Sequence, residues 1–392
     1  MRETTKLAYL SEVKNIHVCL VAISLGTGGA QRVVAAHSQM LSALGYQVTI
    51  AILRDPVDYA YSGELLHLGG KNPDQNGQNK VNPKLKEARG LATKPWQRLW
   101  RLYRYIKRHR PDVIIDHRSR TSILKEWVYR KLIYGKTRVI YVCHSAYAPI
   151  YLTDHPKWFG RMTINHSAHV GVSRYITQAL MPKYGLSNRS YIPNFVSNQW
   201  LDEVKMQTAI QSPYLLWFGR LDESVKDVGL LLEAFDQSVA RTKGYKLIIL
   251  GSGPDALALQ NKAKDRRIEH SVEFLSFDPN PQDLIRGAKC VCLTSYYEGF
   301  PMALLEALSL GTPVISLDIL SGPDELVEDR VNGLLVRERN SRIFGEAIDT
   351  LCLDESFYTR VKSMAQTSVA GYGADKVSQK WRELIEQDYD HN

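Results

Sequence analysis

The stretch "IHVCLVAISLGTGGAQRVVAAHSQMLSALGYQVTIAIL" (Ile16–Leu53) decides the fold. Ile16–Ile23 is a short, nearly continuous apolar run, which suits a strand covered on both faces. Leu25–Gln31 is a tight glycine turn. The residues after it carry apolar side chains at helical spacing and stop at Gly45. Tyr46–Leu53 is a second apolar run. Strand, turn, helix and strand in this order make the repeating unit of a parallel α/β sheet.

The same grammar continues downstream. "PDVIIDH" (111–117), "TRVIYVCHS" (137–145), "AHVGVS" (168–173) and "RSYIPN" (189–194) read as further strands. The polar segment from Gly69 to Lys94, rich in Asn, Gln and Lys, reads as a loop or insertion. A second unit begins with "PYLLWFGRL" (213–221) and its helix "DVGLLLEAFDQSVA" (227–240). "YKLIILGSGP" (245–254) repeats the strand-to-glycine turn, and "VEFLSF", "CVCLTS" and "TPVISLD" add three short strands. The expected architecture is two Rossmann-like domains, 1–195 and 196–376, facing each other across a cleft. The last helix, about 377–392, is expected to cross back onto the first domain. Ligands in such sheets bind beyond the carboxyl ends of the strands.

The 392 residues suffice for two cores, and 44% hydrophobic with 23% charged residues is an ordinary globular composition. No apolar run is long enough to span a membrane. "MRETTKLAYLSEVK" at the start lacks the apolar core of a signal peptide. Five cysteines without a CxxC pair read as reduced core residues, so a cytoplasmic location is expected. The net charge of +9 is uneven: residues 1–196 hold 29 Lys+Arg against 11 Asp+Glu, and the remainder 21 against 30. A basic half suits nucleic acid, an anionic membrane or a phosphorylated ligand.

The chemistry concentrates in "EGFPMALLEALSLGTP" (Glu298–Pro313). Pro301 suits the first position of a helix, and Gly311 suits its left-handed end. Glu298 then precedes the helix, and Glu306 lies about 12 Å further along it. Free backbone N–H groups between them form a natural phosphate cradle. A ligand with a polyol, a diphosphate and a ribose in sequence fits that layout. In "FGRLDESVKD", Arg220 and Lys226 are two cations able to neutralise a diphosphate. "GTGGA" (Gly26–Ala30) allows close backbone approach but lacks GxGxxG spacing, which disfavours a nicotinamide enzyme. "GSGP" (Gly251–Pro254) is a similar but weaker signal. His144 and His117 each end a strand, His144 facing the cleft. There is no HExxH or GxSxG, and the one DxD-like triplet, Asp388–Asp390, lies in a polar tail. "KPWQRLWRLYRYIKRHR" (Lys94–Arg110) spaces Trp96, Leu99, Trp100, Tyr103 and Ile106 as a helix packing on the sheet, with a membrane-facing outer surface as the alternative. No RNA-binding motif accompanies the basic residues, so nucleic acid is not an expected partner.

These segments together resemble the retaining GT-B glycosyltransferases of family four. The resemblance runs from "GTGGAQRVV" through "GVSRYI", "YIPNFVS" and "FGRLDESVKD" to "SGPDELVEDRVNGLLV", and the glutamate pair is its most specific element. It implies a hexosyl or N-acetylhexosaminyl transfer, with retention, from a nucleotide sugar, UDP-linked by expectation, to a glycan or lipid-linked glycan. The setting it implies is polysaccharide, lipopolysaccharide or glycoprotein glycan synthesis, and the basic first half, the Trp- and Arg-rich helix and the lack of a signal-peptide pattern add the expectation of a place at the inner face of a membrane. Glu298 would hold the donor sugar's hydroxyls and Glu306 the ribose. Arg220 and Lys226 would grip the diphosphate, and His144 would lie by the anomeric centre. Gly28, Gly29 and Gly251 would let backbone approach the donor. Gly299, Phe300, Pro301, Met302 and Ala303 would contact sugar and phosphate. No metal and no cofactor are implied, the nucleotide sugar being a substrate. The loop before Lys226 is one residue longer than the commonest family form. The rival readings are a sugar-nucleotide epimerase of the same fold and a non-catalytic nucleotide-sugar binder.

Overall fold

The computed structural model describes residues 16–26, 28–69, 94–164, 167–201, 210 and 212–387. The N-terminal segment, most of the polar 69–94 segment and the Asp388–Asp390 triplet lie outside the described residues.

The first sheet contains β1 (His17–Ala22), β2 (Gln47–Ile52), β3 (Glu64–His67), β4 (Val113–Asp116), β5 (Arg138–Cys143), β6 (Ser167–Gly171) and β7 (Arg189–Tyr191). Their order is β3-β2-β1-β4-β5-β6-β7, and every pairing is parallel. The second sheet contains β8 (Tyr214–Arg220), β9 (Lys246–Ser252), β10 (Val272–Leu275), β11 (Cys290–Leu293), β12 (Val314–Leu317) and β13 (Gly333–Val336). It is ordered β10-β9-β8-β11-β12-β13, again all parallel. The edge strands β3 and β13 go beyond those read from the sequence. All six residues of β1 are buried, as an apolar run in a sheet covered on both faces requires.

Each sheet reverses its strand order once, between β1 and β4 and between β8 and β11. A crevice opens beyond the strand ends at such a point. Helix α1 (Gly29–Ala43) follows the glycine turn after β1. Helix α2 (Pro95–His109) precedes β4, and helix α3 (Met302–Ser309) follows the loop after β11. Pro301 caps α3 rather than opening it, and Gly311 takes φ +77° just past its end.

Helix α4 (Ala374–Glu386) returns to the first sheet. Val196 and Gly373 pair where the two crossing segments meet. Trp381 of α4 lies 4.2 Å from the His37 ring, and Tyr46 Oη donates to Glu386 at 2.5 Å. Arg138 donates to the carbonyls of Leu384 and Ile385 at 2.6 and 2.7 Å, which serves the exposed C-terminal end of a helix. One apolar core runs from the first sheet into α3, through Phe300, Leu304, Leu305 and Leu308.

The β4 end is anchored by buried charge. Arg118 donates to Asp116 at 2.7 Å and to Glu126 at 2.9 Å, and Tyr134 Oη donates to Asp116 at 2.9 Å. Arg120, 1% exposed, donates to the carbonyls of Asp116, Arg118, Val142 and Tyr151. Burial opposes ionisation of Asp116, but the two guanidinium groups outweigh it and hold its carboxyl below the usual range. Arg118 and Arg120 are therefore internal struts, and they tie the β4 and β5 exits together. Arg120→Met would strand four buried carbonyls, and the expected loss is about 3–5 kcal/mol in urea unfolding.

Candidate active site

The carboxyl edges of the two sheets face each other across a cleft. The cleft is lined by Gly28, Gly29, His144, Arg220, Lys226, Glu298, Gly299, Phe300, Pro301, Met302, Ala303 and Glu306. Gly251 is not on its wall, although Leu250 and Ser252 are. A Cβ at Gly251 would run into the Gly219 carbonyl oxygen of the neighbouring strand, so close strand packing explains this glycine.

Glu298 sits in the loop between β11 and α3. Lys226 Nζ donates to its Oε1 at 2.6 Å, and Ser295 Oγ donates to the same oxygen at 2.7 Å. Both bonds fall on Oε1, which leaves Oε2 to accept from a ligand. The Glu298 carbonyl accepts from the Ala146 N–H at 3.0 Å, across the cleft. Lys226 ends a one-turn helix, Glu223–Lys226, and its carbonyl accepts from Thr294 Oγ1 at 3.0 Å. Arg339 donates to the carbonyls of Thr294 and Ser295 at 2.9 and 2.6 Å, which fixes the same loop from behind. Arg220 is mostly exposed, and its Nε lies 3.8 Å from Asp222. Its head is free to turn toward an anion.

The N-termini of α1 and α3 meet across the cleft: a Cβ at Gly29 would touch the Met302 side chain at 3.5 Å. Neither helix carries an acidic residue in its first turn. Two positive helix ends, the exposed Arg220 and the Glu298-paired Lys226 therefore converge on one space, the electrostatics that a diphosphate requires. Gly28 holds φ +134°, which a side chain would strain.

Glu306 is 2% exposed, on the inner side of α3. Arg32, one turn into α1, reaches it from the first domain, with Nε 3.4 Å from Oε1. That oxygen accepts no hydrogen bond from a described residue. Burial raises Glu306 to about 7, and Arg32 offsets this only in part. The Arg32 guanidinium lies 4.8 Å from the Tyr59 ring and 4.6 Å from the Trp200 ring, a stacking arrangement for a desolvated cation. Burial opposes its charge, but Glu306 and then Tyr59 more than compensate, and its pKa is raised.

His144 lines the cleft and pairs with His117, whose Nδ1 lies 2.8 Å from His144 Nε2. The sequence reading treated these histidines separately. It also missed Arg32, Tyr59, Asn194, Phe277 and Asp278, all on the cleft wall. Phe277 and Asp278 follow β10, so the rule that ligands gather at strand ends could have found them. Among the described residues, no group of His, Cys, Asp or Glu is arranged to hold a metal ion.

Glu306 also sets a pH dependence. The unfolded carboxyl ionises near 4.5, the folded one near 7. Between these values the folded chain holds a proton that the unfolded chain has released. This contribution to stability is fully present below about 4.5 and is lost as pH rises through about 7. In thermal melts from pH 4.5 to 8 the stability of the wild type relative to Glu306→Gln should show this decline, a difference in which the opposite slope of the buried histidines cancels. Arg32→Leu, which removes the compensating cation, should move its upper end to higher pH.

Comparison with known proteins bears on the fold and the family. The description of Glycosyltransferase Family 4 matches residues 27–200, and that of Glycosyl transferases group 1 matches residues 180–368. The amylovoran biosynthesis glycosyltransferase AmsD of Erwinia amylovora is 27% identical over 384 residues, covering 92% of this chain and 96% of that protein. A Campylobacter jejuni protein is 25% identical, over 91% of this chain and 95% of its own length. It is named as an N-acetylgalactosamine-N,N'-diacetylbacillosaminyl-diphospho-undecaprenol 4-alpha-N-acetylgalactosaminyltransferase. The Anabaena Alr3699/HepE structure in complex with UDP-glucose superposes with a TM-score of 0.74 at 16% identity, covering 95% of this chain and 100% of that one. With two parallel sheets opposed across a cleft and both halves of the chain matched, the protein belongs to the group 1 glycosyltransferases of GT-B fold.

Proposed function

We propose that this enzyme transfers a hexose or N-acetylhexosamine from a UDP-sugar to a glycan or lipid-linked glycan, with retention at the anomeric carbon. The carrying observation is the Lys226–Glu298 pair, set between two facing helix N-termini with Arg220 alongside. Glu298 Oε2 accepts hydroxyls of the donor sugar. Arg220 and Lys226 meet the charge that grows on the diphosphate as the glycosidic bond breaks, and the α3 N–H groups add fixed dipoles. Glu306 accepts the ribose hydroxyls, and His144 lies beside the reacting carbon. The acceptor hydroxyl attacks from the leaving-group face, and no side chain is assigned as a covalent nucleophile. No metal takes part, so EDTA leaves the rate unchanged. Cell-surface polysaccharide or lipopolysaccharide synthesis is the setting, supported by the relatives' names.

The deciding experiment follows UDP release from UDP-glucose, UDP-galactose and their N-acetyl forms, with and without a membrane extract as acceptor source. Turnover of one donor, lowered by about 10²–10³-fold in Glu298→Ala, is the expected result. Full activity in that variant would sink the assignment. Binding without release, in every mixture, would favour a nucleotide-sugar binder, and isomerised donor without transfer would favour an epimerase.

The first domain also carries a face suited to an anionic membrane. In α2 the buried residues are Leu102, Tyr105 and Ile106, while Trp96 and Trp100 point outward, half-exposed or more. Helix α2 packs against 129–133, which continues 123–128, which packs against 156–163. Across these segments Leu124, Trp127, Leu132 and Trp158 are also exposed. Arg104, Lys107, Lys125, Lys131, Lys157 and Arg161 are exposed on the same segments. Aromatic and basic side chains together suit the headgroup layer of the inner leaflet. Among the described residues, no helix is long and apolar enough to cross a membrane. Sedimentation with phosphatidylglycerol vesicles should pull down the protein at low salt. Trp96→Ser with Trp127→Ser should weaken that binding by at least tenfold while leaving UDP binding intact.

A further inference from the structure

Three histidines form a single hydrogen-bonded chain leading out of the cleft. His144 Nε2 lies 2.8 Å from His117 Nδ1, and His117 Nε2 lies 3.1 Å from His37 Nδ1. They come from the loop after β5, the end of β4 and the middle of α1, so the chain stitches three elements together. His117 and His37 are 4% and 1% exposed. The two terminal nitrogens, His144 Nδ1 and His37 Nε2, are buried without a hydrogen-bond partner among the described residues.

All three rings are neutral. Burial lowers each pKa, His37 to about 3 and the other two well below 6.5, with further lowering by a neighbouring histidine and, at His117 and His144, by Arg120. No carboxylate is among the causes acting on any of the three. The remaining ring neighbours are apolar or aromatic: Trp381 and Phe195 at His37, and Tyr151 at His144.

A neutral imidazole carries one N–H, and the ring nitrogen without it accepts. Three neutral rings in this connectivity can therefore adopt only two ordered arrangements. If His144 Nε2–H donates to His117 Nδ1, then His117 Nε2–H donates to His37 Nδ1, and His37 keeps its proton on Nε2. If His37 Nδ1–H donates instead, all three rings carry the proton on Nδ1. In either arrangement all three rings carry the proton on the same nitrogen, so the tautomer of His144 is set together with those of His117 and His37.

We infer that His117 and His37 are positioning residues of the transferase, locking the cleft-lining His144 in one orientation and in the tautomer that all three rings share. His144 is thereby a ring of fixed orientation. It is not a general base, because the imidazolium would have no counter-charge and the far end of the chain has no outlet for a proton.

The inference rests on the transferase reading, and two experiments separate the two. In ligand-free protein with ¹⁵N-labelled histidine, two-bond ¹H–¹⁵N spectra should show three rings in the same neutral tautomer from pH 5.5 to 8. His117→Gln and His37→Leu assign the resonances. Protonation of His144 in that range, or different tautomers among the three rings, overturns the lock whether or not the protein turns over a sugar donor.

The second experiment uses the donor that the wild type hydrolyses or transfers. The side-chain amide of Asn stands near the position of Nδ1, and that of Gln near Nε2. His117→Asn therefore keeps the bond to His144, and His117→Gln keeps only the bond to His37. The expected result is a kcat about 10–100-fold lower for His117→Gln than for His117→Asn, with the donor KM changed little. Equal losses in the two variants, matching equal losses in melting temperature, would reduce the chain to core packing.

Discussion

The site depends on one backbone contact between the two sheets. The Glu298–Gly299 peptide lies directly on the His144–Ala146 loop, with the Ala146 N–H donating to the Glu298 carbonyl at 3.0 Å. Gly299 has no Cβ because the His144 carbonyl oxygen occupies its place. The Gly299 carbonyl accepts from Ser321 Oγ, which lies 2.8 Å from Ser173 Oγ of the first domain. Backbone contact of this kind carries little positional slack, since it has no rotamers to adjust. It sets Glu298 and His144 at one end of the cleft and brings the N-termini of α1 and α3 face to face. Chemistry that needs a sugar held between two domains needs this register before it needs any particular charge.

Much of this was legible because the signals are local. Parallel strands buried on both faces leave apolar runs, and Gly45 and Gly311 end their helices with positive φ as their placement suggested. Glu298 and Glu306 could be set on a loop and a helix because Pro301 and Gly311 punctuate the segment. The edge strands "ELLH" and "GLLV" were missed because four residues at a sheet edge carry little pattern. The buried roles of Arg118 and Arg120 were invisible for a different reason. A basic residue next to a strand end looks solvated until Asp116, Glu126 and the carbonyls that enclose it are placed in space. Gly251 shows the converse: a glycine at a strand end signals close approach, and here the approaching group is the neighbouring strand.

The two glutamates of the cleft lie on one loop-and-helix segment and differ in environment. Glu298 is met by Lys226 and by the Ser295 hydroxyl, both at hydrogen-bond distance. Glu306 is enclosed by apolar neighbours on α3 and faces one guanidinium without a hydrogen bond to its Oε1. Environments that differ in this way suit two carboxyls to different tasks within one site. The contrast between a basic first half and an acidic second half recurs at this scale, because Arg32 brings a cation from the first domain to an acid of the second.

That pairing couples domain position to protonation. Arg32 is held over Tyr59 and Trp200, so it moves with the first domain and its crossover, while Glu306 moves with α3. Separating the sheets would take the cation from a carboxyl that already holds its proton to about 7. Its proton affinity would then rise for as long as it remained dry. Closure and proton release at Glu306 are therefore linked, and the linkage is reciprocal: higher pH favours the closed register as much as closure favours the carboxylate. A nucleotide whose hydroxyls donate to that carboxylate adds to the same side of the balance. Binding, closure and ionisation would then reinforce one another through a single ion pair, between residues that sequence separation alone would never have placed together.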